Sequence, residues 1–242
     1  MSSGTTACPD CGVANAEDHN YCKHCGVPLR VASVDQELAA TPAERMRDRY
    51  RSLVEAYPQN ATAHFNLGSA YYHLGEVGNA VRAFQRALQI DDDMPAAHFQ
   101  LALCHYRRGA MAECVSESRR AIALNPYSAP AHFRLAIALF HLGKLEEAAQ
   151  AFEATLGADH EYVIAWYHLG IIRERQDEYD ASISCFEHVV EANPDDASAH
   201  YHLGLAYERQ GLDALAMSAL TRALQLDPSD EAAASALQEL QR

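Results

Sequence analysis

Between residues 61 and 230 the pattern of apolar and small positions repeats every 34 residues without an insertion, giving units at 61–94, 95–128, 129–162, 163–196 and 197–230. Leu67, Leu101, Leu135, Leu169 and Leu203 hold the seventh place of the units and form one wall of a helix. The next residue is always small (Gly68, Ala102, Ala136, Gly170, Gly204), which predicts close approach by a second helix. On that second helix a small residue (Ala80, Cys114, Ala148, Ser182, Ala216) precedes a large apolar one by four places in Phe84, Phe152, Phe186 and Leu220, a knob facing the hole. Ser118 breaks this column in the second unit. Gly75, Gly109, Gly143 and Gly211 fall where the first helix must stop and the chain reverse, a duty suited to a residue that tolerates positive φ, and Asp177 takes that place in the fourth unit. Pro126, Pro194 and Pro228 end the second helix; His160 stands there in the third unit, which predicts a looser or differently angled junction, as does Ser118 in the second. Each unit is expected to be two antiparallel helices, stacked on the next as in a solenoid.

Small residues at the eighth, twentieth and twenty-seventh places, aromatics near the eleventh and twenty-fourth, and Pro at the thirty-second resemble the tetratricopeptide repeat. The resemblance covers residues 61–230 and implies an all-α, right-handed superhelical solenoid of antiparallel helix pairs whose first helices line a concave surface. Carried back by one period, the pattern predicts a half unit at 42–60, with Thr41 as cap, Pro42 in the first turn and Tyr50, Leu53 and Pro58 in the columns of a second helix. Residues 231–242, rich in Ala with Leu237 and Leu240 on one side, suit a C-terminal capping helix, so both ends of the solenoid are expected to be closed. Residues 31–41 lack the pattern and read as a tether.

Ahead of the repeats, Cys8-Pro-Asp-Cys11 and Cys22-Lys-His-Cys25 form two Cys-x-x-Cys hooks, each followed by Gly (Gly12, Gly26). This spacing lets four thiolates converge tetrahedrally on one ion. The hooks resemble a short bacterial zinc ribbon, here residues 1–30, and the expected cofactor is one structural Zn2+, since four protein sulfurs leave no position open for substrate. Iron, held by similar knuckles, stays an alternative, as does a disulfide or redox pair. His19 and His24 are not needed as ligands. With little apolar material in this segment, the metal would supply most of its folding energy, on the order of 10 kcal/mol. Cys104, Cys114 and Cys185 lie at core positions of the repeats.

Composition adds exclusions. The chain has 242 residues and a formal net charge of -14, which repels phosphate backbones and argues against general nucleic-acid binding. The first residues resemble no secretory signal, and no apolar run approaches the roughly 20 residues of a membrane span; a cytoplasmic setting is expected. There is no Gly-rich phosphate loop, nucleophile elbow or isolated carboxylate pair, so an enzyme is not expected.

The residues left after stacking point to a binding groove. The fifth place of every unit is aromatic (Phe65, Phe99, Phe133, Tyr167, Tyr201); four places on stand Ser69, Leu103, Ile137, Ile171 and Leu205, and three further Tyr72, Tyr106, Phe140, Glu174 and Glu208. These offsets share a helix face, although part of that stripe is open to a plain packing role. The thirteenth place carries a potential cation in His73, Arg107, His141, Arg175 and Arg209, and the sixth a donor in Asn66, Gln100, Arg134, His168 and His202. The groove is expected to hold a protein or peptide segment with apolar and acidic residues, centred on Phe99, Tyr106, Arg107, Phe133, Arg134 and Phe140. His64, His98, His132 and His200 recur at the fourth place with Trp166 in the fourth unit; a unit apart, about 10 Å, they read as packing residues with a polar tip rather than a metal ladder. The expected role is an interaction scaffold with the ribbon as a second contact module. The alternative is a transcription- or RNA-linked regulator whose ribbon touches nucleic acid, against which the ribbon's two cations, Lys23 and Arg30, weigh.

Overall fold

The computed structural model describes residues 5–7, 14–16 and 41–241. Near the start, β1 (Thr5–Ala7) pairs antiparallel with β2 (Ala14–Ala16), Thr5 opposite Ala16 and Ala7 opposite Ala14. Cys8 and Cys11 fall in the sequence between the strands and Cys22 and Cys25 after them; all four lie outside the described residues, as does most of the tether at 31–41.

Helix α1 (Pro42–Ala56) starts as its sequence predicts. Thr41 Oγ1 accepts from the Glu44 N–H at 3.3 Å, and Glu44 Oε2 accepts from the Thr41 N–H at 2.7 Å, a reciprocal cap. The helix has no fully buried residue and covers the first unit as a half repeat.

Five helix pairs follow, at the expected boundaries: α2 (Ala61–His73) with α3 (Val77–Ile90), α4 (Pro95–Arg107) with α5 (Met111–Leu124), α6 (Ala129–His141) with α7 (Leu145–Ala158), α8 (Val163–Arg175) with α9 (Tyr179–Ala192), and α10 (Ala197–Arg209) with α11 (Asp213–Leu226). The reversal inside each pair needs one left-handed residue. Gly75, Gly109, Gly143 and Gly211 have φ between 73° and 76°, and Asp177 takes the same role at 59°. Its turn closes with the same bond as the others: Glu178 N–H reaches Arg173 O at 2.9 Å, as Glu76 N–H reaches Tyr71 O at 2.9 Å.

The hole at the eighth place is real. A Cβ built on Gly68 would sit 2.7 Å from Phe84 Cδ1, on Gly170 2.9 Å from Phe186 Cζ, and on Gly204 2.7 Å from Leu220 Cγ. Phe84, Phe152, Phe186 and Leu220 are accordingly buried to the last atom, each worth roughly 1.5–3 kcal/mol of burial. Of the seventh-place leucines, Leu67, Leu101, Leu169 and Leu203 are buried, whereas Leu135 is only partly so and Ile137 and Leu139 are buried beside it.

Consecutive first helices touch one another at the first, second and fourth junctions, while no two second helices make a comparable contact among the described residues. The stack therefore curves with its first helices on the inner side. The junction between the third and fourth units is the more open one, in line with His160 replacing Pro: the rings of Tyr162 and His168 stand against Phe133, at 4.9 Å and 6.2 Å between centroids. The junction after Ser118 keeps its contact. At the far end, α12 (Glu231–Leu240) is capped by Asp230, whose carboxylate accepts from the N–H groups of Ala232 and Ala233, and lays Ala233, Leu237 and Leu240 against Leu220 and Ala223. No described helix is long and apolar enough to cross a membrane.

Candidate protein-binding groove

The fourth-place side chains prove to be clasps between units. His64, His132 and His200 direct Nε2 at the carbonyls of Pro58, Pro126 and Pro194, at 3.1, 2.9 and 3.0 Å, and Trp166 donates Nε1–H to His160 O at 2.9 Å. A carbonyl only accepts, so each of these imidazoles carries its proton on Nε2. His98 differs: its Nδ1 meets Glu117 Oε2 at 2.7 Å.

The fifth-place aromatics turn inward more than a binding stripe requires. Phe65 packs on Phe84, Phe133 on Phe152 and Tyr167 on Phe186, with centroids 5.6, 5.8 and 5.8 Å apart, and Tyr201 packs around Leu220. Phe65, Phe99, Phe133, Tyr167 and Tyr201 are all partly buried. Ile137 is a correction to the predicted groove: it is 6% exposed and belongs to the core between the second and fourth units. A first helix is packed on both flanks, by its own partner and by the second helix before it, so a residue on either flank can be core.

What reaches the inner surface most regularly is the twelfth place. Tyr72, Tyr106 and Phe140 stand one unit apart, and each carries a guanidinium from the next unit over its ring: Arg107 over Tyr72 at 3.9 Å, Arg134 over Tyr106 at 4.5 Å and Arg175 over Phe140 at 5.1 Å. Arg107 also donates to Tyr72 O at 3.3 Å, and the Tyr106 hydroxyl meets His141 Nε2 at 3.3 Å. Arg107 and Arg134 were expected here as charge partners; Tyr72 and Arg175 join them, which the columns alone do not single out. In the fourth unit the twelfth residue is Glu174, whose carboxylate bonds His202 Nδ1 at 3.0 Å.

Behind this surface the sixth place stacks on the twenty-fourth of the unit before. His168 lies on Phe152 and His202 on Phe186, with centroids 5.5 and 5.2 Å apart and planes 12° and 8° from parallel. Burial, and to a lesser degree the neighbouring His141, pushes His168 below the usual histidine range. Burial likewise pushes the thiols of Cys104 and Cys185 up, to about 11 and about 12, so neither is a ready nucleophile.

The tetratricopeptide repeat model matches residues 47–95 and 167–231, and the model of the anaphase-promoting complex, cyclosome, subunit 3, matches residues 73–155. The chain carries tetratricopeptide repeats. Its fold is similar to that of YrrB, described as a tetratricopeptide repeat protein with an unusual peptide-binding site, with a TM-score of 0.73, 18% identity, and coverage of 78% of this chain and 97% of that one. It is similar to MamA of Desulfovibrio magneticus RS-1, with a TM-score of 0.64, 20% identity, and coverage of 71% and 97%. A third likeness, to a chain of the APC/C hetero-tetramer Cut9-Hcn1, has a TM-score of 0.60 and 19% identity and covers 83% of this chain and 40% of that one. No curated protein matches.

Proposed function

We propose that the protein is a non-enzymatic interaction scaffold whose inner face holds a segment of a partner protein with apolar and acidic residues. One observation carries this reading: the first helices form an inner face on which Leu103, Tyr106 and Phe140 stay partly exposed and the arginines of that face have no carboxylate of their own chain within ion-pair distance among the described residues. The peptide-binding site named for the similarly folded YrrB supports a peptide-binding role. Phe65, Phe99, Phe133, Tyr167 and Tyr201 act in this reading as the wall behind the groove.

The amino-terminal hooks complete the proposal as a structural zinc ribbon and second contact module. Its support is the strand pairing, which closes Ala7 against Ala14 and so brackets Cys8 and Cys11 in one short connection, the position of a hook in a ribbon. When bound, the ion would hold the four sulfurs of Cys8, Cys11, Cys22 and Cys25 together. The reading takes a cytoplasmic setting, where such thiols stay reduced and free for a metal.

A photo-crosslinking residue introduced at Phe140 on the inner face and, separately, at Arg86 on an outer helix tests the scaffold role. Crosslinks to a peptide library from the inner position alone, with acidic and apolar ligands selected, are expected. Basic ligands, or crosslinks from the outer position only, would remove the proposal.

A further inference from the structure

The rungs formed by Tyr72 with Arg107, Tyr106 with Arg134, and Phe140 with Arg175 repeat in space although their arginines do not repeat in sequence. Arg107 and Arg175 come from the thirteenth place of their units, Arg134 from the sixth, and at the thirteenth place of the third unit stands His141 instead. His141 engages the hydroxyl of Tyr106, and Arg134 supplies the missing guanidinium over the ring. Two columns thus maintain one feature at each of the three junctions between the first four units.

That feature is charged and has no counter-ion among the described residues. The chain has 33 Asp and Glu against 19 Lys and Arg, and other arginines use the surplus: Arg119 pairs with Glu147, Arg173 with Glu153 and Glu178, and Arg222 with Asp195. Arg107, Arg134 and Arg175 make no such pair among the described residues, and Arg134 Nε is buried with no acceptor. A guanidinium seated on a ring face does not spend its in-plane N–H donors on the ring, so those left after the bond from Arg107 to Tyr72 O can take a carboxylate. The array ends where the chain supplies its own acid, at Glu174 with His202.

We infer that the groove reads an extended acidic segment of a partner protein, with one carboxylate side chain for each of the three arginines. This rests on the inner face being the binding surface proposed above. Neighbouring packed helices stand about 10 Å apart, and a chain extended as a polyproline-II helix advances about 3.1 Å per residue with three residues per turn, so carboxylates on its groove-facing side fall at every third residue. Nucleic acid fits the array poorly: each ring already carries a cation where a base would stack, and the net charge of -14 opposes a phosphate chain.

Fluorescence anisotropy with the full-length protein and labelled nine-residue peptides tests this. One peptide carries three glutamates, one at every third position among serine and alanine; a second has the same composition with the glutamates adjacent; a third has lysine in their place. The spaced peptide should bind about tenfold more tightly than the clustered one, and the lysine peptide should not bind. Arg134→Gln should lose about tenfold of the spaced peptide's affinity and Arg134→Lys less, because one charge-assisted contact is a factor of this order. Unchanged helical circular dichroism verifies folding of each variant. Equal binding of spaced and clustered peptides overturns the inference. So does unaltered affinity in the triple variant Arg107→Gln, Arg134→Gln, Arg175→Gln, or tighter binding of single-stranded RNA than of the spaced peptide. An unbiased peptide array separates this from the broader reading: ligands lost on Leu103→Arg but indifferent to the triple variant keep the groove and remove the ladder, whereas ligands indifferent to both remove the groove.

Discussion

His168 lies flat against Phe152, 5.5 Å between centroids and 12° from parallel, with Phe140 a further 6.0 Å away and its own Nδ1 buried without a partner. The imidazole fills a slot between units as an aromatic plate, and as a plate it is better neutral.

Stability should therefore depend on pH through this residue. Burial lowers the His168 pKa in the folded protein below the ordinary value of 6.5, while the unfolded chain keeps that value. The contribution is complete above about pH 6.5 and is lost as pH falls toward the native value, because only the unfolded chain binds the proton in that window. The slope attributable to one such group is at most about 1.4 kcal/mol per pH unit. Urea denaturation between pH 7 and 5 should show this loss, and His168→Phe, which keeps the stack and removes the proton, should flatten it.

Filling the hole at the eighth place should destabilise the stack. Gly170→Ala puts a methyl 2.9 Å from Phe186 Cζ, and overpacking of this kind costs about 1–3 kcal/mol. Trimming the opposing ring, in Gly170→Ala with Phe186→Leu, should recover part of the loss, so the two changes will not be additive in a double-mutant cycle. Additive effects would show that Gly170 and Phe186 do not face each other.

The hole, the reversal and the caps were legible because each depends on a residue type at one place: no bulk at Gly68, positive φ at Gly75 or Asp177, a capping oxygen at Thr41. Burial of Ile137 was not legible. Both flanks of a first helix are packed, and helical periodicity marks a flank without saying what meets it. The guanidinium ladder was hidden for a different reason: Arg134 and Arg107 occupy different columns and become equivalent only through the packing of successive units. The fourth-place histidines were readable as packing residues with a polar tip, but their acceptors, the carbonyls of Pro58, Pro126 and Pro194, come from the preceding unit and are set by tertiary structure.

Zinc removal should separate the two proposed modules. Elemental analysis is expected to give one zinc per chain, and a strong chelator should release it with little change in the helical circular-dichroism signal or its melting, because the repeats carry their own core in Phe84, Phe152, Phe186 and Leu220. Cys22→Ser should abolish tight retention. Chain without metal, or helices that melt on chelation, would contradict the ribbon as a separate structural site.

Two buried serines offer the reverse experiment, a gain of stability by deletion. Ser118 and Ser182 are wholly inaccessible, and neither hydroxyl has a hydrogen-bonding partner that satisfies ordinary geometry. A buried, unmatched hydroxyl costs about 1–3 kcal/mol of desolvation, which alanine avoids at the loss of a single atom. The two sites are not equivalent, since Ser118 lies beside the Cys114 thiol and holds it lower than burial alone would, a weak sulfur contact that Ser182 lacks. Ser182→Ala should therefore raise stability by about 1 kcal/mol and Ser118→Ala by less, read as shifts of the urea midpoint at constant slope. Equal destabilisation by both would mean that each hydroxyl has an acceptor in solution and that the interfaces between units are wetter than their packing indicates.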